Sequence, residues 1–136
     1  MISYYLVILI SAIISMVLGS LWYSPILFGK QWIKLMGISK KDMEKNKNKG
    51  MIKSYIVLFI SSLVTIYVLS MFTSLLGAST FSQGMMIGFW VWLGFFATTM
   101  LGSVLWEKKP FSLYTINVSY HLVNLLIIGG ILAVWT

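Results

Sequence analysis

Charged residues are confined to two parts of the chain and leave long apolar stretches on either side. No Lys, Arg, Asp or Glu occurs in residues 1–29, 54–106 or 110–136. A helix of about 20 apolar residues crosses the hydrocarbon core of a bilayer, so these stretches hold one, two and one spans. We therefore predict an all-α integral membrane protein, a four-helix bundle in which residues 1–136 form a single transmembrane domain. The predicted spans are residues 3–23, 54–76, 83–106 and 112–135.

Two shorter segments with a different pattern separate the first span from the second. Residues 26–37 place apolar side chains on one helical stripe and Lys30 and Lys34 elsewhere. This pattern predicts an amphipathic helix that lies along the membrane interface and ends at Gly37. Residues 38–53 are rich in Lys and Asn and predict a polar loop. No basic residue precedes the first span, so we expect a retained helix and not a cleaved signal peptide.

The charge composition narrows the possible functions further. The ten basic residues are all Lys, and with three acidic residues the formal net charge is +7. Nucleic-acid-binding proteins use Arg for bidentate contacts with phosphate and guanine. We therefore expect no nucleic-acid partner, and instead a contact between the Lys-rich loop and anionic lipid headgroups. Because the chain has no Cys and one His, we predict no metal site, no cofactor and no catalytic residue.

The placement of the lysines also predicts the orientation in the membrane. Eight lysines lie between residues 30 and 53, and Lys108 and Lys109 follow the third span, whereas the turn between spans two and three has none. Cytoplasmic loops carry an excess of Lys and Arg. We therefore expect a multi-pass protein of the cell membrane, with residues 30–53 cytoplasmic and both termini extracytoplasmic.

One ionisable residue lies well inside a predicted span. His121 is about nine residues into span four, roughly 14 Å deep at about 1.5 Å per residue. Asn117 and Asn124 lie four residues before and three residues after it, so all three side chains share one helical face. An ionisable residue within a span indicates a functional site by default, although a hydrogen-bonded cluster that holds helices together fits the same pattern. Trp92 of span three is predicted to form part of a ligand-binding wall.

Small residues at helical spacing occur in spans one and three. Such ridges let membrane helices approach closely. Because they exceed what one four-helix bundle needs, we predict a homo-oligomer, most simply a dimer. Both spans also end in Leu-Gly-Ser at an offset of 83 residues, which fits either an internal repeat or the general abundance of small residues in membrane helices. The predicted packing residues are Ser11, Ser15, Gly19, Gly84, Gly88 and Gly94.

The end of the first span and the segment after it have a distinctive sequence. It reads Gly19-Ser-Leu-Trp-Tyr-Ser-Pro-Ile-Leu-Phe-Gly-Lys-Gln-Trp32 and resembles the signature of the domain of unknown function 1761 family of small, mostly bacterial membrane proteins. The resemblance implies a four-helix membrane domain and implies no activity, substrate or cofactor. A Lys/Asn-rich loop at residues 40–50 departs from the family pattern. The other matching residues are Gly37, Gly84, Gly88, Gly94, Tyr120, His121, Gly129, Gly130 and Trp135.

Three functions are compatible with a polar site inside a membrane domain. The first is an oligomeric transporter or carrier of a small molecule or ion, with His121 on the transport path. The second is a non-catalytic scaffold or interaction protein whose polar stripe only holds helices or subunits together. A membrane-embedded enzyme is disfavoured, because the spans supply one general base and no acid, Cys or Arg.

Overall fold

All four predicted spans are helical in the structure, a computed structural model that describes residues 3–37 and 49–135. Four of the helices are long and apolar enough to cross a membrane. No strand occurs in the described residues, and the predicted all-helical fold is confirmed. The helices are α1 (Tyr4–Trp22), α2 (Gly29–Met36), α3 (Lys49–Leu75), α4 (Phe81–Leu105) and α5 (Phe111–Trp135).

The break between α1 and α2 follows from local backbone chemistry. Pro25 pushes the preceding residue out of the helical region, and the backbone N–H groups of Leu27 and Gly29 donate to the Ser24 carbonyl in the resulting turn. A Cβ on Gly29 would overlap the Tyr23 carbonyl oxygen. Gly37 ends α2 in the left-handed conformation, with φ of 70°, as predicted. Glycine favours this position because it has no Cβ.

The predicted polar loop and α3 overlap by several residues. Residues 38–48 of that loop lie outside the described residues, but α3 begins at Lys49 and not near residue 54. A helix can extend past its apolar stretch because its backbone hydrogen bonds do not depend on hydropathy. The apolar part of the helix runs over Ile52–Leu75, close to the predicted span.

Helix α4 is well capped at its start and irregular in its middle. The Thr80 side chain accepts a hydrogen bond from the Gln83 backbone N–H, and the Gln83 side chain accepts from the Thr80 N–H, which forms a capping box. The segment Trp92–Ala97 is a π-helix. Such segments insert an extra residue into an α-helix and often occur at functional sites.

Helix α5 is the central element and packs against each of the other helices, most extensively against α4. It runs antiparallel to α1 and to α4, since Trp22 near the end of α1 contacts Ile116 near the start of α5 and Gly84 near the start of α4 contacts Gly129. The buried core lies in the half of the bundle that contains the end of α3 and the end of α5. Its residues are Val7, Ile8, Ala12, Ile66, Leu69, Leu125, Ile128 and Leu132.

In the other half of the bundle, α3 diverges from its neighbours. The Tyr4 and Ser70 hydroxyls form a hydrogen bond, so antiparallel packing would bring residues 52–58 of α3 beside residues 16–22 of α1. Yet each of residues 52–58 is exposed. Seven consecutive residues cover every face of a helix at 3.6 residues per turn, so every face of α3 is exposed at this level.

Candidate functional site

The two asparagines of the polar stripe are bonded to α1. The Ser15 hydroxyl donates to Asn124 Oδ1 over 2.8 Å, and the Tyr23 hydroxyl donates to Asn117 Oδ1 over 2.6 Å. Both side chains are half-buried. In an apolar environment a side-chain carbonyl needs such a partner, so these bonds tie α5 to α1 at two levels.

His121 lies between these two asparagines and packs against aromatic rings. Its imidazole centroid is 4.9 Å from the Phe96 ring in the π-helical segment and 5.0 Å from the Tyr120 ring. Tyr120 in turn contacts the Tyr23 ring at 5.9 Å. The imidazole therefore has neighbours from both α4 and α5, and all of these contacts are made by ring faces and edges.

Polar nitrogens of the stripe remain unpaired. Among the described residues, no hydrogen bond is formed by the amide nitrogens of Asn117 and Asn124 or by the imidazole nitrogens of His121. The Ser11 hydroxyl is the only fully enclosed side-chain polar atom without a partner in the described part of the chain. The amide and imidazole nitrogens therefore reach the molecular surface.

From the exposures along α5 we infer that the nitrogens reach the surface on the side from which α3 diverges. On the same face of α5, Ile128 and Leu132 are 0% exposed where α3 covers them, whereas Asn117 and His121 are half-buried. The hydrogen bond from Trp22 to Ile116 and that from Ser15 to Asn124 place residues 116–122 of α5 at the level of residues 16–22 of α1, where α3 has diverged. We call the opening between residues 52–58 and the Asn117–His121 face of α5 the polar cleft.

Positive charge gathers at the end of the bundle where the cleft opens. The described lysine side chains all lie in α2, at the start of α3 or in the turn between α4 and α5. None of them forms a salt bridge within residues 3–37 and 52–135, and Glu107 is the acidic residue in these ranges. The five lysines are Lys30, Lys34, Lys53, Lys108 and Lys109.

Trp92 lies at the level of the cleft, but its indole nitrogen is already used. The N–H group donates to the Val118 carbonyl over 2.8 Å, in the same way that the Trp22 indole donates to the Ile116 carbonyl over 2.9 Å. Both bonds join a neighbouring helix to the backbone of α5. Trp92 thus holds α4 against α5, and its predicted role as a ligand-binding wall stays a prediction.

Two of the predicted glycines make the closest helix contact in the molecule. A Cβ on Gly84 would overlap the Gly129 carbonyl oxygen, and a Cβ on Gly88 would overlap the Leu125 carbonyl oxygen. Gly94, in contrast, is exposed, and a Cβ added there would meet no atom of another element within 4 Å. Six residues after Gly88 a helix has turned well away from the Gly84–Gly88 face, and the packing role of Gly94 stays a prediction.

The small residues of α1 face the interior. Ser11 and Ser15 are buried, and a Cβ on Gly19 would lie 3.2 Å from the Tyr120 hydroxyl oxygen. Small residues on α1 and α4 are therefore used within a single bundle. The homo-oligomer was predicted because the small residues seemed more numerous than one bundle needs. Of these residues, Gly94 is the one with open space beside it, and oligomerisation stays a prediction.

Several residues that complete the site were not among the sequence-predicted site residues. The Tyr120 hydroxyl donates to the Ser15 carbonyl over 3.0 Å, and the Tyr114 hydroxyl donates to the Ala97 carbonyl over 2.6 Å. Tyr23, which bonds Asn117, was likewise not among the predicted site residues. The sequence does indicate that an asparagine in an apolar helix needs a hydrogen-bond donor. Spacing along the chain cannot identify that donor when it lies on another helix.

The fold and site define a class of protein: an all-helical bundle with four helices apolar enough to cross a membrane and a face of polar side chains on one of them. The family described as "Protein of unknown function (DUF1761)" matches residues 6–133. The chain belongs to this family, and the resemblance drawn from the sequence is confirmed. Comparison with curated proteins and with solved structures found no match.

Proposed function

We propose that this protein is an integral membrane protein with four spans. The exterior of α3 supports this placement, because large apolar side chains on several of its faces are each more than half exposed. Soluble monomers rarely expose apolar patches of more than a few hundred Å², whereas lipid requires such a surface. The lysines at one end support a cytoplasmic location for that end and an extracytoplasmic location for both termini. The exposed side chains include Ile56, Val57, Leu58, Ile60 and Val64.

We further propose that the polar cleft binds a small polar molecule that the protein carries within or across the membrane. The observation that carries this proposal is that the side-chain nitrogens of Asn117, His121 and Asn124 form no hydrogen bond with the described residues and are not fully enclosed. An unsatisfied polar group at bilayer depth costs several kcal/mol. A bound molecule with hydrogen-bond acceptors would remove that cost, and so would water in the cleft.

A second candidate function is a membrane scaffold, and a specific observation favours it. The bonds from Ser15 to Asn124 and from Tyr23 to Asn117 already tie α1 to α5. If helix attachment were the only role of the stripe, His121 would be a packing residue with no access to water. Neither candidate involves catalysis.

Nitrogen-15 NMR of the imidazole distinguishes the two candidates. The chain contains one His, so His-labelled protein in lipid gives signals from a single ring. If the cleft is wet and binds polar molecules, the imidazole exchanges protons with water and titrates between pH 5 and 8, where His responds to its surroundings. A ring whose signals stay constant over this range would leave the scaffold as the function.

A further inference from the structure

We infer that the molecule bound in the polar cleft is an anionic phospholipid, which enters sideways from the bilayer. The inference rests on the proposed ligand-binding cleft and adds the chemical class of its ligand. It depends on three properties of the opening: the hydrogen-bonding character of its floor, the charge at its mouth and the apolar character of its diverging wall.

The floor of the cleft offers mainly hydrogen-bond donors. The Oδ1 atoms of Asn117 and Asn124 accept bonds from hydroxyl groups of Tyr23 and Ser15, so the amide nitrogens are what remains to interact with a ligand. His121 adds a further N–H group between them. Donors without acceptors select a ligand rich in acceptor oxygens, such as a phosphodiester.

The mouth of the cleft is positively charged. Lys53 lies on the diverging part of α3, and Lys30 and Lys34 lie on α2, which contacts α5. These lysines have no carboxylate partner within the described ranges. Lysines near the membrane surface attract anionic lipid headgroups. A phosphodiester that carries a net negative charge therefore fits the mouth as well as the floor.

The diverging wall is apolar. Ile52, Tyr55 and Ile56 of α3 are 63%, 48% and 55% exposed. A water-soluble anion would gain nothing from this wall, whereas an acyl chain would cover it. The opening lies between helices, so its side faces the bilayer. The cationic mouth and the donor-rich floor therefore suit the charged phosphodiester headgroup of a phospholipid, and the apolar wall suits its acyl chain.

Lipid binding to the purified full chain tests the inference by native mass spectrometry. The probes are dioleoyl phosphatidylglycerol, dioleoyl phosphatidylcholine and the soluble headgroup analogue glycerol phosphate. We expect phosphatidylglycerol to bind about tenfold more tightly than phosphatidylcholine, because both present a phosphodiester to the floor but only phosphatidylglycerol brings a net negative charge to the lysines at the mouth. Glycerol phosphate should compete only weakly because it cannot cover the apolar wall.

Two variants and one control locate the binding site. His121→Phe keeps a ring against Phe96 and removes the N–H group, and Lys53→Gln removes charge at the mouth outside the packed core. Lys53→Gln should lower phosphatidylglycerol binding by about threefold to tenfold and leave phosphatidylcholine binding unchanged, whereas His121→Phe should lower the binding of both lipids, since both present a phosphodiester to the floor. Thr115→Val is the matched control, because this exposed side chain bonds only the Phe111 carbonyl of its own helix, and it should change neither lipid.

Equal binding of the two lipids to the unmodified protein would overturn the inference. Equal loss of binding in the Thr115→Val control would also overturn it, as would displacement of phosphatidylglycerol by glycerol phosphate at comparable concentration. Failure here is distinguishable from failure of the proposed function. If the two lipids bind equally while the His121 imidazole titrates, the cleft still binds a polar molecule and only the lipid assignment is wrong.

Discussion

At the scale of single residues, two buried serines one helical turn apart differ in their hydrogen bonding. Ser15 donates to Asn124, whereas the Ser11 hydroxyl is enclosed and has no partner in the described part of the chain. Removing one partner of a buried hydrogen bond leaves the other unpaired, but removing an unsatisfied hydroxyl can be neutral or stabilising. The two side chains are equal in size, so substitution by Ala deletes the same atom at each.

This contrast predicts different effects on stability. Ser15→Ala should lower the free energy of unfolding in detergent micelles by about 0.6–1.7 kcal/mol, the range measured for hydrogen bonds between membrane helices. Ser11→Ala should leave it unchanged or raise it slightly. Chemical unfolding of both variants gives the comparison. Equal destabilisation by the two substitutions would show that the Ser15–Asn124 bond contributes nothing specific.

The sequence predicted the residues of the polar stripe but not their partners. Asn117, His121 and Asn124 share a face because an α-helix repeats every 3.6 residues, which is a local property. Tyr23 and Ser15 reach them from α1, more than 90 residues away in the chain. Such a pairing depends on how helices cross, and the hydropathy pattern contains no information on crossing.

At the scale of helices, the contact between α4 and α5 depends on two glycines. The backbones approach so closely at Gly84 and Gly88 that a Cβ on either would overlap a carbonyl oxygen of α5. Gly94 lies on the same helix, but it is exposed and has open space where a Cβ would be. Three glycines that look alike in the sequence therefore differ in what a methyl group would meet.

Alanine substitutions test this difference. Gly88→Ala should destabilise the protein by on the order of 1–3 kcal/mol, the usual cost of overpacking, because the carbonyl of Leu125 is backbone and cannot rotate away. Gly94→Ala is the matched control and should be neutral or stabilising, since Ala has the higher helix propensity. Thermal unfolding in detergent measures both. A Gly94→Ala variant that is as unstable as Gly88→Ala would contradict the described helix contact.

The sequence predicted which segments form helices, but it did not predict how those helices bend or diverge. The four spans agree with the observed helices to within a few residues because each is a long apolar stretch without a charged residue. The π-helical segment Trp92–Ala97 and the divergence of α3 were not predicted. Both are set by contacts between helices, which composition does not encode.

At the scale of the whole molecule, apolar, polar and positively charged side chains occupy three separate zones. Apolar side chains cover the outside of α3, polar side chains line one face of α5, and lysines lie at one end. The divergence of α3 connects these zones, because it uncovers the polar face next to the charged end. The proposed carrier function and the inferred lipid ligand both require this opening.

The most direct test compares two positions on one face of α5. The chain has no Cys, so His121→Cys and Ile128→Cys each introduce a single thiol, and the two positions are two helical turns apart. In phosphatidylcholine nanodiscs, a water-soluble methanethiosulfonate reagent should modify residue 121 and leave residue 128 unmodified, because α3 covers only the second. Both thiols should react after denaturation. A thiol at residue 121 that is as protected as the one at 128 would contradict the open polar cleft.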